Sequence, residues 1–146
     1  MAGIVSFGAY IPFHRLERKK IAEAFGEPGG KGEKAVANHD EDSLSMAVAA
    51  AQDALSGLRL NALAAVYFAT TTAPYAEKQS ATTVAAALDC KEQIRTADFT
   101  DSLRAGTTAL LNGLETVQVQ GAPVLVTAAD CRLGGAQGSF EKELGD

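Results

Sequence analysis

The chain has no tryptophan, two histidines, two methionines and two cysteines among its 146 residues, and aromatic side chains make up only 6% of it. Each scarcity removes a class of chemistry. Cys90 and Cys131 allow at most one bridge and have no CxxC partner, so neither a disulfide framework nor a cysteine zinc site is expected, and a reducing cytoplasm is the expected compartment. His14 and His39 lie in loop-like sequence beside charges and read as solvated, which leaves a histidine triad or a metal site without support. Basic residues are also few: 13 Lys plus Arg face 18 Asp plus Glu, and a formal charge of −5 gives a nucleic-acid backbone little attraction. Long apolar runs are missing, since Met46 to Ala51 and Leu63 to Ala69 fall far short of the roughly 20 residues a membrane-spanning helix needs. The Met-Ala-Gly-Ile-Val start has no basic segment followed by an apolar signal core. No nucleic-acid or membrane partner is expected.

What the chain does have is alanine, at 28 positions, together with 14 glycines. A core built from such small side chains implies helices that approach their neighbours closely. Gly26 to Lys34 reads as a flexible polar loop; it contains Lys31 but lacks the GxxxxGK[ST] order, so it is not a P-loop. β-Formers at 3–9, stopped by Ile11-Pro12, predict a first strand, and Leu16 to Phe25 a short helix. Asp40-Glu41-Asp42-Ser43 caps a helix over about 42–57, and Ala64 to Ala69 is a buried strand. Further segments are a helix at 79–88, a strand at 93–99, a helix at 102–118 and a strand at 123–128. Alternating strands and helices specify a layered α/β fold with a mostly parallel central sheet, whose sites form at the carboxyl ends of the strands.

Those ends collect Thr70, Thr71, Thr72, Tyr75, Asp98, Asp101, Ser102, Arg104, Asp130, Cys131 and Arg132. Cys131 has no base nearby in sequence and reads as an inert packed thiol, and Cys90 more so. Arg15, Arg18, Lys19 and Lys20 read as a solvated helix face, with a phosphate anchor for a nucleotide-like ligand as the alternative. The turn Asp101 to Thr107 carries a strand into the 102–118 helix, where a nucleophile would meet the positive helix dipole and free backbone N–H groups.

In order along the chain, Gly3 to Pro12, Glu33 to Val36, Asp40 to Ser43, Val66 to Thr70 with Pro74 to Lys78, Arg104 to Leu110, Val124 to Asp130 and Glu143 to Asp146 resemble the amino-terminal half of the thiolase superfamily, in its hydroxymethylglutaryl-CoA synthase and ketoacyl synthase III branch. The resemblance implies a thiolase-like layered half with a buried helix, incomplete without a carboxy-terminal half. In that family a cysteine takes an acyl group from acyl-CoA and a glutamate assists as acid/base. The family cysteine falls on Leu103, aligned through Ala105-Gly106-Thr107, and the glutamate on Thr71, aligned through Pro74-Tyr75-Ala76. Leucine forms no thioester and threonine is no general base near neutral pH. Thr71, Tyr75, Ser102 and Arg104 then become the expected substrate-binding residues for a coenzyme A thioester, with no covalently bound cofactor. The resemblance further implies a homo- or hetero-oligomer: subunits of the family pair edge to edge, and some thiolase-like proteins that resemble aldolases lack the cysteine and work with an OB-fold and zinc-ribbon partner. Three readings follow: an acyl-CoA enzyme of altered chemistry, a noncatalytic acyl-CoA-binding or scaffolding subunit, and a piece of a longer chain.

Overall fold

A computed structural model describes residues 2–58, 62–135 and 138–143. They fall into two compact units, one of Met1–Tyr10 with Ser43–Asp130 and the other of Ile11–Asp42 with Cys131–Asp146. The Leu144 to Asp146 part of the resemblance lies outside the described residues.

The larger unit is built on three parallel strands, β3 (Ala65–Ala69), β4 (Arg95–Phe99) and β5 (Val124–Ala128), in the order β4-β3-β5. Ala65 stands opposite both Arg95 and Val124 in the two ladders. The central β3 is buried along its whole length, as the unbroken apolar run Ala-Val-Tyr-Phe-Ala requires of a strand covered on both faces. Val66 and Phe68 meet Ala47 and Ala51 of α2 (Ser43–Ala54) and Ala81, Val84 and Ala85 of α3 (Ser80–Ala87) in the main core. On the other face Ala69 packs with Ala105 and Ala109 of α4 (Ala105–Gln120). The Tyr67 hydroxyl keeps a partner there, Thr116 Oγ1 at 2.9 Å.

The smaller unit pairs β1 (His14–Glu17) antiparallel with β2 (Glu33–Val36) and packs α1 (Arg18–Ala24) with α5 (Ser139–Glu143). The glycine loop joins α1 to β2 through Gly26, Gly29, Gly30 and Gly32, all at positive φ. At Gly30 a Cβ would come within 2.4 Å of the Arg18 carbonyl oxygen, so only glycine fits.

Two expectations need correction. Residues 3–9 form no strand. Ser6 Oγ donates to the Ala54 carbonyl at 2.6 Å and the Ala9 N–H to Asp53 Oδ2 at 3.1 Å, which ties the segment to the end of α2 rather than to a sheet edge. A cleft of about 460 Å³ lies between Gly3–Gly8 and the β5 side of the unit, so the β-formers have no ladder and Val5 and Phe7 are 85% and 90% exposed. The helix expected from Leu16 begins at Arg18, because Leu16 pairs with Lys34 in the small hairpin. β2 and α5 carry too little apolar periodicity to be read from sequence. α4 buries one stripe, Ala105, Ala109 and Gly113, and leaves Leu110 and Leu111 exposed, whereas half of the shorter α3 is buried.

Candidate functional site

Parallel strands deliver their carboxyl ends to one side. Two hydrogen bonds extend the ladder past the strands: the Thr70 N–H donates to the Phe99 carbonyl at 3.0 Å, and the Ala129 N–H to the Ala69 carbonyl at 3.1 Å. The next residues outward are Thr71 and Asp130, 59 positions apart in sequence. Asp130 Oδ1 accepts from the Thr71 N–H at 2.6 Å, from the Thr70 and Thr71 hydroxyls at 3.0 Å each, and from the Thr72 hydroxyl at 3.2 Å. Partial burial pushes the Asp130 carboxyl up, but the backbone and hydroxyl hydrogen bonds outweigh it and hold its pKa below the ordinary value.

The facing wall is the turn from β4 into α4. Asp101 reverses the chain at φ 63°, a left-handed conformation that aspartate tolerates better than most residues. Ser102 then satisfies two backbone donors at the helix start: its hydroxyl accepts the Arg104 N–H at 3.1 Å and its carbonyl the Ala105 N–H at 2.9 Å. Leu103 stands at the apex of this turn and is 86% exposed.

Together the two walls enclose a cleft of about 260 Å³ lined by Thr70, Thr71, Ser102, Leu103, Gly106 and Asp130, among others. Three of the sequence-selected residues, Thr71, Ser102 and Leu103, are thus brought together. Tyr75 and Arg104 are not among its lining residues. Tyr75 is half exposed with Lys78 Nζ 5.0 Å from its ring centroid, and Arg104 is exposed as the residue before α4. Asp130 stands at a strand end with no role that its sequence context assigns. A lone aspartate after a strand gives no signal; its significance comes from three threonines that approach from a different strand.

The basic cluster on α1 and its approach is already paired. Lys19 meets Glu23 at 3.8 Å, Lys20 meets Glu17 at 3.7 Å, Arg15 meets Glu33 at 3.9 Å, and Arg18 donates to the Lys142 carbonyl at 3.3 Å. That is a solvated face, not a phosphate cradle. At Cys90, burial and then the neighbouring Asp89 charge push the thiol above its ordinary value, which disfavours the nucleophilic thiolate. Among the described residues no group of His, Cys, Asp and Glu is placed to hold a metal ion, and no helix is long and apolar enough to cross a membrane.

The parallel sheet, its flanking helices and the strand-end cleft define a thiolase-like α/β fold. A crystal structure of a hydroxymethylglutaryl-CoA synthase complexed with CoA superposes with a TM-score of 0.88 at 23% identity, covering 97% of this chain and 39% of that one. The priming β-ketosynthase of the R1128 polyketide pathway superposes at 0.86 with 19% identity, over 100% of this chain and 47% of that one. In sequence the chain is 40% identical over 111 residues to a hydroxymethylglutaryl-CoA synthase of Thermococcus sibiricus, a match covering 74% of this chain and 32% of the relative. The chain therefore resembles a segment of hydroxymethylglutaryl-CoA synthase in sequence, and it shares the thiolase-like fold of that enzyme and of a priming β-ketosynthase. It spans about a third of the length of the curated relatives it matches. No protein-family model matches it.

Proposed function

We propose that this segment forms part of an enzyme that makes or breaks a carbon–carbon bond beside the carbonyl of a CoA thioester, without transferring the acyl group to itself. The observation that carries this reading is Leu103, held at the exposed apex of the β4–α4 turn and lining the same cleft as Thr71 and Asp130. The resemblance puts the acyl-accepting cysteine at this position, and a hydrocarbon there accepts no acyl group. Thr71, at the glutamate position, is likewise no general base.

What the cleft retains suits a noncovalent thioester: polar groups on both walls and the start of a 16-residue helix whose backbone N–H groups favour negative charge on a carbonyl oxygen. Retro-aldol cleavage fits this set better than Claisen condensation. It removes the proton of a β-hydroxyl, breaks the bond between the α and β carbons, and leaves a carbonyl compound and a thioester enolate that takes up a proton. No acyl-enzyme is required.

A second reading, a noncatalytic acyl-CoA-binding or scaffolding subunit, is favoured by Leu110 and Leu111, which α4 leaves 39% and 56% exposed. Such a face suits a carboxy-terminal thiolase half, a homologous subunit or an OB-fold and zinc-ribbon protein. Calorimetry with CoA and acetyl-CoA separates the enzyme reading from a pure scaffold that binds no CoA thioester. Binding of acetyl-CoA with no acetyl adduct by mass spectrometry is the expected result, and no binding at millimolar ligand overturns the enzyme reading.

A further inference from the structure

We infer that the Gln79 side chain is a clasp on the free edge of β4, and that it weakens the pairing of that edge with the same edge of a second copy of the chain. The clasp is independent of the thioester chemistry of the cleft.

The strand order β4-β3-β5 leaves β4 with one unpaired edge. Along a strand, the main-chain groups of successive residues point to alternate edges. The Phe99 carbonyl accepts the Thr70 N–H, so Phe99, Ala97 and Arg95 turn their main chains toward β3. Thr96 and Asp98 therefore turn theirs outward. An antiparallel second copy centred on Ala97 would set Thr96 of one chain opposite Asp98 of the other, and the two would exchange N–H to carbonyl hydrogen bonds. Half of those bonds need a Thr96 carbonyl.

Gln79 already holds that carbonyl. Its Nε2 donates to the Thr96 carbonyl at 3.3 Å, while its Oε1 accepts from the Thr96 hydroxyl at 2.8 Å and from the Thr82 hydroxyl. A carbonyl cannot donate, so the N–H side of the amide must face it and Oε1 is left to the hydroxyls. The clasp is also positioned by its neighbours. Asp98 accepts the Ser80 and Ala81 N–H groups at 2.7 Å each, which fixes the start of α3, and with it Gln79, beside the strand. Thr96 and Asp98 share one face of β4. One of them anchors α3, and the other is held by the residue that precedes it.

A second copy takes the Thr96 carbonyl only when Gln79 releases it. Exchanging one hydrogen bond for another gains little, so edge pairing starts from a deficit in both chains at once.

Sedimentation equilibrium of the full chain reads this deficit. Gln79→Ala should lower the dissociation constant for self-association about tenfold, because the clasps of both copies are removed together. Gln79→Met keeps the length without the donor; it should do the same, and it decides the matter where the alanine variant fails to fold. Adding Thr96→Pro to Gln79→Ala removes an outward N–H without touching the β3 ladder, and it should cancel the gain. In Gln79→Ala the Thr96 and Asp98 amides should also become protected from hydrogen exchange as concentration rises, and at the same concentrations those of the unaltered chain should not. A dissociation constant unchanged by both Gln79 variants overturns the inference, even where the urea midpoint falls, since that pattern belongs to a residue that merely supports α3. A gain that survives Thr96→Pro, with no new protection at Thr96 and Asp98, also overturns it by placing the contact on another surface.

Discussion

α3 and α4 both begin beside β4, yet their first turns are satisfied in opposite ways. At α3 a carboxylate projects from β4: Asp98 accepts the Ser80 N–H and the Ala81 N–H at 2.7 Å each, and both of those residues are fully buried. At α4 no carboxylate intervenes; Ser102 covers two N–H groups, and Ser102, Leu103 and Arg104 all remain exposed. The first turn of α3 is thus a closed structural joint, whereas that of α4 faces a cleft. Asp130, the carboxylate nearest that cleft, orders the threonine loop across from the helix instead of capping it. The difference separates a helix start that holds the fold together from one left available to chemistry.

If that contrast is sound, removing the joint should cost far more than altering the open turn. Asp98→Ala leaves two buried N–H groups without their acceptor and should destabilise the protein by about 2 kcal/mol, read as a lower urea midpoint at unchanged slope. Ser102→Ala should cost less than about 1 kcal/mol, because solvent replaces its hydroxyl at an exposed site. Equal losses would erase the distinction between the two helix starts.

The open turn is sharpened by restoring chemistry to it. Leu103→Cys places a thiol at the apex beside the α4 dipole, which lowers a thiol's pKa. Incubated with acetyl-CoA, the variant should gain one acetyl group by mass spectrometry, while the unaltered chain gains none on Cys90 or Cys131. An acetyl thioester on Cys131 in the unaltered chain would overturn the alignment that assigns Leu103 its position.

Much of this arrangement was legible beforehand, and the boundary has a physical cause. Strands β3, β4 and β5 and helices α2, α3 and α4 were readable within a few residues, because each buries an apolar run or stripe that sequence periodicity reports directly. The 3–9 segment misled because β-propensity measures fit to a pleated neighbour, and Ile4, Val5 and Phe7 have none within reach. Leu103 and Thr71 were found only through ordered resemblance, since neither residue type announces a site. Asp130 escaped because its role is made of contacts across 58 to 60 positions, a relation that no local pattern encodes.

Asp130 also gives the comparison a pH dependence. Its pKa is held below the ordinary value in the folded chain, so it contributes stability above the unfolded carboxylate pKa of about 4 and loses it as pH falls through the folded value. Stability should therefore decline on acidification below about pH 4, and Asp130→Asn should flatten that part of the profile while costing less at neutral pH than Asp98→Ala. An acid limb unchanged by Asp130→Asn would show that other carboxylates carry it.

The smallest effects distinguish the two glycines of α4, which look equivalent in sequence as sites of close approach. At Gly113 an added Cβ would lie 2.8 Å from Val126 Cγ2, so the helix–strand contact there is closed and Gly113→Ala must displace a β5 side chain. At Gly106, lining the cleft, the same atom would meet only Ala128 Cβ at 3.8 Å, an ordinary contact. Overpacking at the first should cost about 2 kcal/mol, more than the helix-propensity gain that both alanines bring, whereas at the second that gain of about 0.5 to 1 kcal/mol is unopposed. Thermal melts of the two variants should thus move in opposite directions. Destabilisation by Gly106→Ala would mean that the cleft end of α4 is packed more tightly than an open helix start allows, and the contrast with α3 would lose its structural basis.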